Sequence, residues 1–216
     1  MKSDTQLQHD VIDELEWEPG VNHAEIGVGV KAGVVTLSGF VNSYPQKMRA
    51  EAAAKRVAGV KAIAEELKVR LPSDPKTSDS EIAKRILDVF AWDISIPDDK
   101  ITVKVEHGWV TLTGTVEWFY QKDAARRAAG RIGGVVGVSN LIALRPVPTA
   151  SDVRERIVAA FKRSADLDAA SVNVLTDGGK VTLTGTVGAW SERQIAERAA
   201  WAAPGVTSLV DNILVG

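Results

Sequence analysis

Aromatic and basic side chains recur together at three places in this chain, and these residue types are suited to hold a ligand. The recurring pairs, three residues apart, are Tyr44 with Lys47, Phe119 with Lys122, and Trp190 with Arg193. In the middle place Trp118 and Tyr120 flank Phe119, and Arg126 follows on the same predicted helix. Aromatic rings favour the membrane–water interface, and basic side chains favour anionic headgroups. The pattern predicts contact with a phospholipid surface or a protein partner.

A structural explanation of the same pairs stays open at this point. Each aromatic ring could pack on the helix that follows it or on a neighbouring part of the chain. Each basic side chain could form a local ion pair on the surface of its helix.

Residue types that carry out catalysis are present without a catalytic arrangement. The three histidines, His9, His23 and His107, stand at unrelated positions, and none forms a pair with metal-ligand spacing. No serine lies in a Gly-x-Ser-x-Gly turn, and no glycine-rich loop precedes a Lys-Ser or Lys-Thr pair. The chain has no cysteine, so disulfides and thiol chemistry are excluded. We expect no enzyme, no cofactor and no metal site.

Charge and hydropathy exclude two further classes of partner. The net charge is −2 and is spread evenly, so no third of the chain is basic enough to bind nucleic acid. No apolar run is long enough to span a bilayer. The first residues lack the apolar stretch of a secretory signal, which predicts a cytoplasmic protein.

The pattern Gly-x-Val-Thr-Leu-x-Gly-x-Val occurs three times and sets the domain organisation. The copies begin at Gly33, Gly108 and Gly179. Their spacing of about 70 residues suits a small domain and is too long for one turn of a solenoid. We predict three tandem units, at residues 1–72, 77–146 and 149–216, joined by proline-containing linkers at 72–77 and 145–149.

Each copy opens with the pattern of an amphipathic helix. A serine-based capping box starts the first two of these helices, at Ser3 and Ser78, and Ser151 starts the third. The apolar positions at i, i+4, i+5 and i+8 predict one buried stripe. They are Leu7, Val11, Ile12 and Leu15, then Ile82, Ile86, Leu87 and Phe90, then Val153, Ile157, Val158 and Phe161.

The rest of each copy reads as a hairpin, a helix and a strand. A period-2 strand and a short turn precede the repeated pattern, which is itself the second strand. An alanine-rich helix ends at Gly59, Gly134 or Gly205, and a last strand follows. The fold class is α+β, with three αββαβ units, each a three-stranded mixed sheet with two helices on one face.

Three motif glycines, Gly39, Gly114 and Gly185, lie inside the predicted central strands, where glycine costs stability. Either the strand bulges there or the alanine-rich helix approaches closely, or a ligand approaches the backbone. Both explanations remain open.

Three tryptophans outside the recurring pairs also need a partner. Trp17 and Trp92 share a position at the end of the first helix, where they either cover an edge of the core or extend a binding surface. Trp201 occupies the position held by Lys55 and Gly130 in the other copies. It is therefore predicted to pack on another copy or another chain, and a freely exposed ring would contradict this.

These features together resemble the BON family (bacterial osmotically inducible and nodulation domain). The resemblance rests on the Val-Thr-Leu-x-Gly-x-Val strand, the Gly-Val pair after the second helix, and Asn140 and Asn212 near the last strand. The first copy has Glu66 where that asparagine is expected. The resemblance implies the αββαβ fold, no enzymatic activity, roles in osmotic or envelope stress and contact with phospholipid. In some members it also implies potassium binding or chaperone-like action.

Three functions follow from the sequence as hypotheses. The first is a non-enzymatic stress-type protein that contacts phospholipid or a protein partner through aromatic and basic loops. The second is a soluble sensor that binds a potassium ion through backbone carbonyls. The third is a chaperone-like or structural scaffold, for which an oligomer is expected.

Overall fold

The protein is described by a computed structural model at residues 2–70, 77–145, 152–164 and 168–216. The predicted linkers lie almost entirely outside these residues, as does the third helix cap predicted at Ser151. The elements of the first copy are α1 (Asp4–Trp17), β1 (Ile26–Lys31), β2 (Val34–Val41), α2 (Tyr44–Arg56) and β3 (Ala62–Val69).

The second and third copies repeat this order. The second contains α3 (Asp79–Trp92), β4 (Ile101–Glu106), β5 (Trp109–Val116), α4 (Phe119–Gly130), β6 (Gly137–Asn140) and β7 (Ala143–Leu144). The third contains α5 (Val153–Arg163), β8 (Val172–Asp177), β9 (Lys180–Val187), α6 (Trp190–Trp201) and β10 (Ser208–Val215).

The repeated pattern forms the central strand of each sheet. The strand orders are β1-β2-β3, β4-β5-β6 and β8-β9-β10, and β7 also pairs with β5. The first strand of each sheet is antiparallel to the central one. In the second and third copies the last strand is parallel to it. The predicted fold class, three αββαβ units with mixed sheets, is confirmed.

The stripe that the first helices bury is narrower than predicted in the first two copies, whereas Val158 at i+5 of the third copy packs against its core. Positions i, i+4 and i+8 are buried, as at Ile82, Ile86 and Phe90, but Ile12 and Leu87 at i+5 are 38% and 48% exposed. A residue five positions on has turned by about 140° and lies outside the contact with the sheet. The alanine stripe of the second helices is buried at its centre, as at Ala125 and Ala129.

An aspartate at the start of the first helix ties that helix to the hairpin turn. The Asp4 carboxylate accepts hydrogen bonds from the Ala32 and Gly33 N–H groups at 2.8 and 3.2 Å. The Asp79 carboxylate does the same for the His107 and Gly108 N–H groups, at 2.7 and 2.9 Å. These bonds hold the pKa of Asp79 below its usual value. Sequence patterns did not reveal this contact, because it joins residues far apart in the chain.

Two compact units cut across the three copies. One comprises Met1–Gly39, Arg49–Leu67 and Pro146–Gly216, and the other comprises Phe40–Met48 and Lys68–Arg145. The start of α2 is therefore grouped with the second copy. The remainder of α2 is grouped with most of the first copy and with the third copy. None of the helices in the described residues is long and apolar enough to cross a membrane.

Candidate binding surface

Two of the predicted aromatic side chains in the second copy reach solvent. Trp118 is 41% exposed and Tyr120 is 55% exposed, whereas Phe119 between them is half-buried. Gln121 fixes this segment at the start of α4, because its Oε1 accepts the N–H groups of Glu117 and Trp118 at 3.1 and 3.0 Å. The cap thus holds two aromatic rings at the first turn of a helix.

The same capping device recurs in the other copies. Gln46 accepts the Asn42 N–H at 2.7 Å, and Glu192 accepts the Gly188 N–H at 3.2 Å. A side chain at this helix position can bond back to the chain before the helix. The start of the second helix is therefore built alike in all three copies, while the exposure of the aromatic residue differs.

Two basic side chains meet near the exposed aromatic residues. Lys100 Nζ lies 3.8 Å and Arg145 Nη1 lies 3.7 Å from Glu117 Oε1. Pairs this long between exposed side chains contribute little to stability. Two cations share one carboxylate, so the group formed by Glu117, Lys100 and Arg145 carries a net positive charge. Neither Lys100 nor Arg145 was singled out from the sequence.

Lys122 lies one turn after Trp118, whose carbonyl accepts the Lys122 N–H at 3.4 Å. The lysine is half-buried, and burial lowers the pKa of its ammonium group. Across the residues that the structure describes, no carboxylate forms an ion pair with it. Arg126 differs, because it binds Asp123 at 2.9 Å as the local alternative expects.

The equivalent basic residue of the third copy has a partner. Arg193 Nε lies 2.5 Å from Asp211 Oδ2, and its guanidinium carbon lies 5.4 Å from the centre of the Trp190 ring. Lys55 Nζ approaches the same ring at 5.5 Å. Trp190 and Arg193 therefore take part in a charged cluster within one compact unit.

Glu197 is the unusual acid of that cluster. Burial, together with its hydrogen bond to Asp211, raises the pKa of Glu197 to about 7. Burial alone would also raise the pKa of Asp211, but hydrogen bonds with Glu197, the Ile213 N–H and Arg193 lower it. Within this pair Asp211 is therefore the stronger acid and Glu197 the weaker one.

The last strand carries a polar residue whose position differs from the sequence expectation. Glu65, Asn140 and Asp211 each accept the N–H two residues further on, at 2.8, 3.4 and 2.9 Å. The expected match of Asn140 with Glu66 and Asn212 is therefore wrong by one residue in two copies. The buried residues Leu67, Ile142 and Ile213, each two positions later, give the correct alignment.

That correction explains why the three basic residues differ. The Asn140 amide Nδ2 donates to the Lys122 carbonyl at 2.8 Å, and an amide offers no negative charge to the Lys122 ammonium group. Asp211 at the equivalent place supplies that charge to Arg193. Lys47 of the first copy is half-buried and makes contacts of its own.

Tyr44 follows the packing alternative. It is half-buried and packs against the core of the second copy. A Cβ built on Gly130 would lie 3.1 Å from Tyr44 Cε1, so the absence of a side chain on α4 makes room for the ring.

The motif glycines are explained by the backbone. Gly39, Gly114 and Gly185 have φ angles of 112°, 131° and 135°. A Cβ at these positions would lie 2.0 to 2.1 Å from the carbonyl oxygen that precedes the first strand of the same copy. The close approach of one backbone to another requires glycine here, and it occupies the space that a ligand would need.

The remaining tryptophans divide into exposed and half-buried rings. Trp17 and Trp92 are 83% and 88% exposed, so they do not cover an edge of the core. Trp201 is half-buried and packs against the core of its own copy, so the free exposure that would contradict its prediction is not observed. Packing of Trp201 on another copy or chain remains a prediction.

Comparison with known proteins identifies the repeated unit. The sequence model of the BON domain family matches three segments of the chain, residues 3–70, 78–146 and 149–216. Osmotically-inducible protein Y of Escherichia coli (strain K12) is 36% identical over 129 residues, which are 56% of this chain and 62% of that protein.

Solved structures add little. Two structures of CdsD, a structural protein of the Type III secretion system of Chlamydia trachomatis, match at 15% and 14% identity. The matches cover 98% and 100% of this chain, and 92% and 100% of the solved chains, with a TM-score of 0.26 in both cases. A similarity this low carries no argument about fold or function.

Proposed function

Since this chain belongs to the BON domain family, we propose that it is a non-enzymatic binding protein of the osmotic stress response. The stress role is taken from its similarity to osmotically-inducible protein Y, of which the chain covers less than two thirds. We propose further that the second copy contacts an anionic phospholipid surface through Trp118, Tyr120 and Lys122. The cytoplasmic location predicted from the sequence is part of this proposal, and cell fractionation tests it.

The half-buried ammonium group of Lys122 is the observation that carries the lipid proposal. Its lowered pKa reflects the loss of water without compensation by a carboxylate. A phosphate group that approached Lys122 would supply the missing negative charge. In the third copy the charge comes from Asp211, so the same position there has no need of an external anion.

The surroundings of Lys122 suit a membrane surface. The indole of Trp118 and the phenol of Tyr120 are apolar rings with one polar group, which favours the headgroup region of a bilayer. Lys100 and Arg145 add positive charge next to them. Each basic residue near an anionic surface contributes about 1 kcal/mol to binding.

Co-sedimentation with vesicles tests this proposal. We expect the chain to bind vesicles that contain phosphatidylglycerol at low salt, and to bind less as the salt concentration rises. The double variant W118A/Y120A should bind several-fold less, because it removes both exposed rings. W92A is the control, since it removes a tryptophan that is more exposed than Trp118 but has acidic neighbours. Absence of vesicle binding at low salt, or equal binding by W118A/Y120A and the wild type, would contradict the proposal.

The potassium sensor and the scaffold remain alternatives. Backbone carbonyl ligands leave no pattern in the sequence, so potassium binding needs a direct measurement. A selectively bound ion raises the melting temperature by mass action. Equal melting curves in potassium and sodium would remove the sensor, and a mass independent of concentration would remove the oligomeric scaffold.

A further inference from the structure

An exposed apolar surface with acidic edges lies at the C-terminal end of α3. Trp92 and Ile94 are 88% and 105% exposed, and Val89 is 38% exposed. Together with Asp88 and Asp93 these residues line a shallow groove of about 500 Å³. We call these five residues the Trp92 surface. Adjacent apolar side chains with such large exposed fractions indicate a binding site.

The Trp92 surface is negatively charged. Asp93 Oδ1 accepts hydrogen bonds from the Ser95 hydroxyl and the Ser95 N–H at 2.6 and 2.9 Å. These bonds lower the pKa of Asp93 and keep its carboxylate ionised. The last turn of α3 contains no basic residue, so the partial negative charge at the end of the helix is not neutralised.

Basic groups nearby do not cancel this charge. Arg127 contributes only the smallest of the effects that lower the pKa of Asp93, and its own guanidinium lies 3.0 Å from Asp123. Asp88 is exposed on the same helix, one turn before Trp92. An anionic bilayer would therefore be repelled from the Trp92 surface.

The first copy shows which chemical group such a helix end accepts. Trp17 occupies the place of Trp92, and Glu18 occupies the place of Asp93. There the guanidinium of Arg56 binds Glu14 and Glu18 at 2.7 and 2.9 Å. An arginine of the chain thus occupies the acidic end of α1.

The second copy lacks this internal arginine contact. Arg131 is the counterpart of Arg56, and it is exposed, with no ion pair among the residues that the structure describes. Val89 replaces Glu14, which makes the end of α3 more apolar while Asp93 keeps its charge. The place that Arg56 fills in the first copy is therefore open to a basic group from outside.

We infer that the Trp92 surface binds a basic amphipathic segment of a partner protein. Lysine or arginine side chains of that segment would pair with Asp88 and Asp93, and its apolar side chains would cover Trp92 and Ile94. A cation can also lie over the exposed indole ring, which strengthens the preference for a basic partner. This inference concerns other residues than the proposed lipid contact and does not depend on it.

Fluorescence anisotropy with two labelled synthetic peptides tests the inference on the full chain. One peptide is an amphipathic helix of leucine and lysine, and the other has glutamate in place of every lysine. We expect the lysine peptide to bind and to bind less well at high salt, and the glutamate peptide not to bind. W92A/I94S should lower the affinity for the lysine peptide by about tenfold. D88N should weaken it less, and W118A/Y120A should bind it as the wild type does.

Several results would overturn the inference. Equal binding of both peptides would mean that charge has no role, and unchanged binding by W92A/I94S would place the peptide elsewhere. Loss of vesicle binding by W92A/I94S, without loss of peptide binding, would assign the surface to a bilayer. Loss of a concentration-dependent dimer in that variant, again with peptide binding intact, would assign it to a second copy of the chain. The lipid proposal is tested separately by W118A/Y120A, so its failure and the failure of this inference are distinguishable.

Discussion

Single residues decide which of the three equivalent basic positions is available to a ligand. Arg193 and Lys122 follow the same aromatic position by three residues, yet of these two only Arg193 has a carboxylate partner among the described residues. The difference arises because the last strand of the third copy carries Asp211 where that of the second copy carries Asn140. A preference for an external anion can therefore change between copies through one substitution, while the fold stays the same.

The Glu197 carboxyl should make folding stability depend on pH. Its pKa is about 7 in the folded chain against 4.5 as its ordinary value, so the folded chain binds more protons between these limits. Its favourable contribution is complete below pH 4.5 and is lost as the pH rises through 7. The stability of the wild type relative to E197Q should therefore fall over this range.

Urea unfolding of both proteins at several pH values between these limits measures that difference. Asp211, Arg193, Lys55 and Glu51 face the same cluster and are retained in the variant. Because Glu197 and Asp211 share a hydrogen bond, subtracting the E197Q curve reports the titration of this pair. A difference that stays constant with pH would show that Glu197 titrates normally.

At the level of elements, each copy depends on contacts between its first helix and its hairpin. Asp79 at the start of α3 bonds two N–H groups of the turn between β4 and β5. His107 in that turn has a φ of 51°, a backbone conformation that residues other than glycine rarely adopt. The carboxylate therefore helps to hold a turn that its own sequence disfavours.

D79A should lower the melting temperature and speed hydrogen exchange at the Gly108 amide, because that N–H loses its acceptor. D88A is the control, since it removes an exposed carboxylate from the same helix without touching the turn. Because hydrogen bonds hold the pKa of Asp79 low, its contribution is present at neutral pH and is lost as the pH falls through that pKa. Equal exchange at Gly108 in both variants would refute this role.

At the level of the whole molecule, the compact units do not follow the sequence repeats. Tyr44 belongs to the first copy by sequence, but its ring packs against Gly130 and the core of the second copy. Equivalent helix positions hold Lys55, Gly130 and Trp201. Lys55 lies over the Trp190 ring of the third copy and Gly130 makes room for Tyr44 of the first, so at these two positions the copies have diverged where they contact another copy.

A double-mutant cycle measures the contact between Tyr44 and Gly130. Alanine in a helix is about 1 kcal/mol better than glycine, so G130A should stabilise the chain in a Y44A background. In the wild type the new Cβ would lie 3.1 Å from the Tyr44 ring and should cancel much of that gain. We expect a coupling free energy of about 0.5 kcal/mol or more from urea unfolding. Additive effects of the two substitutions would mean that the ring does not pack there.

Periodic patterns predicted the fold well, because each element buries one face and that burial is local in sequence. Val110 and Leu112 alternate with threonines along β5, and Ala125 and Ala129 mark the buried face of α4. Three copies of each pattern confirmed one another. The strand break between β6 and β7 was not predicted, and the pattern of apolar residues there does not indicate it.

The candidate site was only partly predictable, because it depends on contacts between distant residues. The sequence selected Trp118, Tyr120 and Lys122, but it could not distinguish the half-buried Tyr44 from the exposed Tyr120. It also could not show that Arg193 is paired, since the sequence alignment matched Asn140 with Asn212 and not with Asp211, the partner of Arg193. The sequence did not identify Ile94 and Asp93, because an exposed apolar residue beside an acidic one belongs to no periodic pattern of the sequence.

The most direct measurement of the central claim is vesicle binding by N140D. This substitution places a carboxylate where the third copy has Asp211, the partner of Arg193, and it removes the hydrogen bond from Asn140 to the Lys122 carbonyl. Asp211 shows that the strand accepts an acid at this position. We expect binding to phosphatidylglycerol vesicles to fall by about fivefold, equivalent to about 1 kcal/mol, with folding retained. D211N leaves Lys122 unchanged and removes the carboxylate partner of Arg193, so it should not weaken vesicle binding. If N140D binds these vesicles as tightly as the wild type, the unpaired Lys122 is not what holds the lipid.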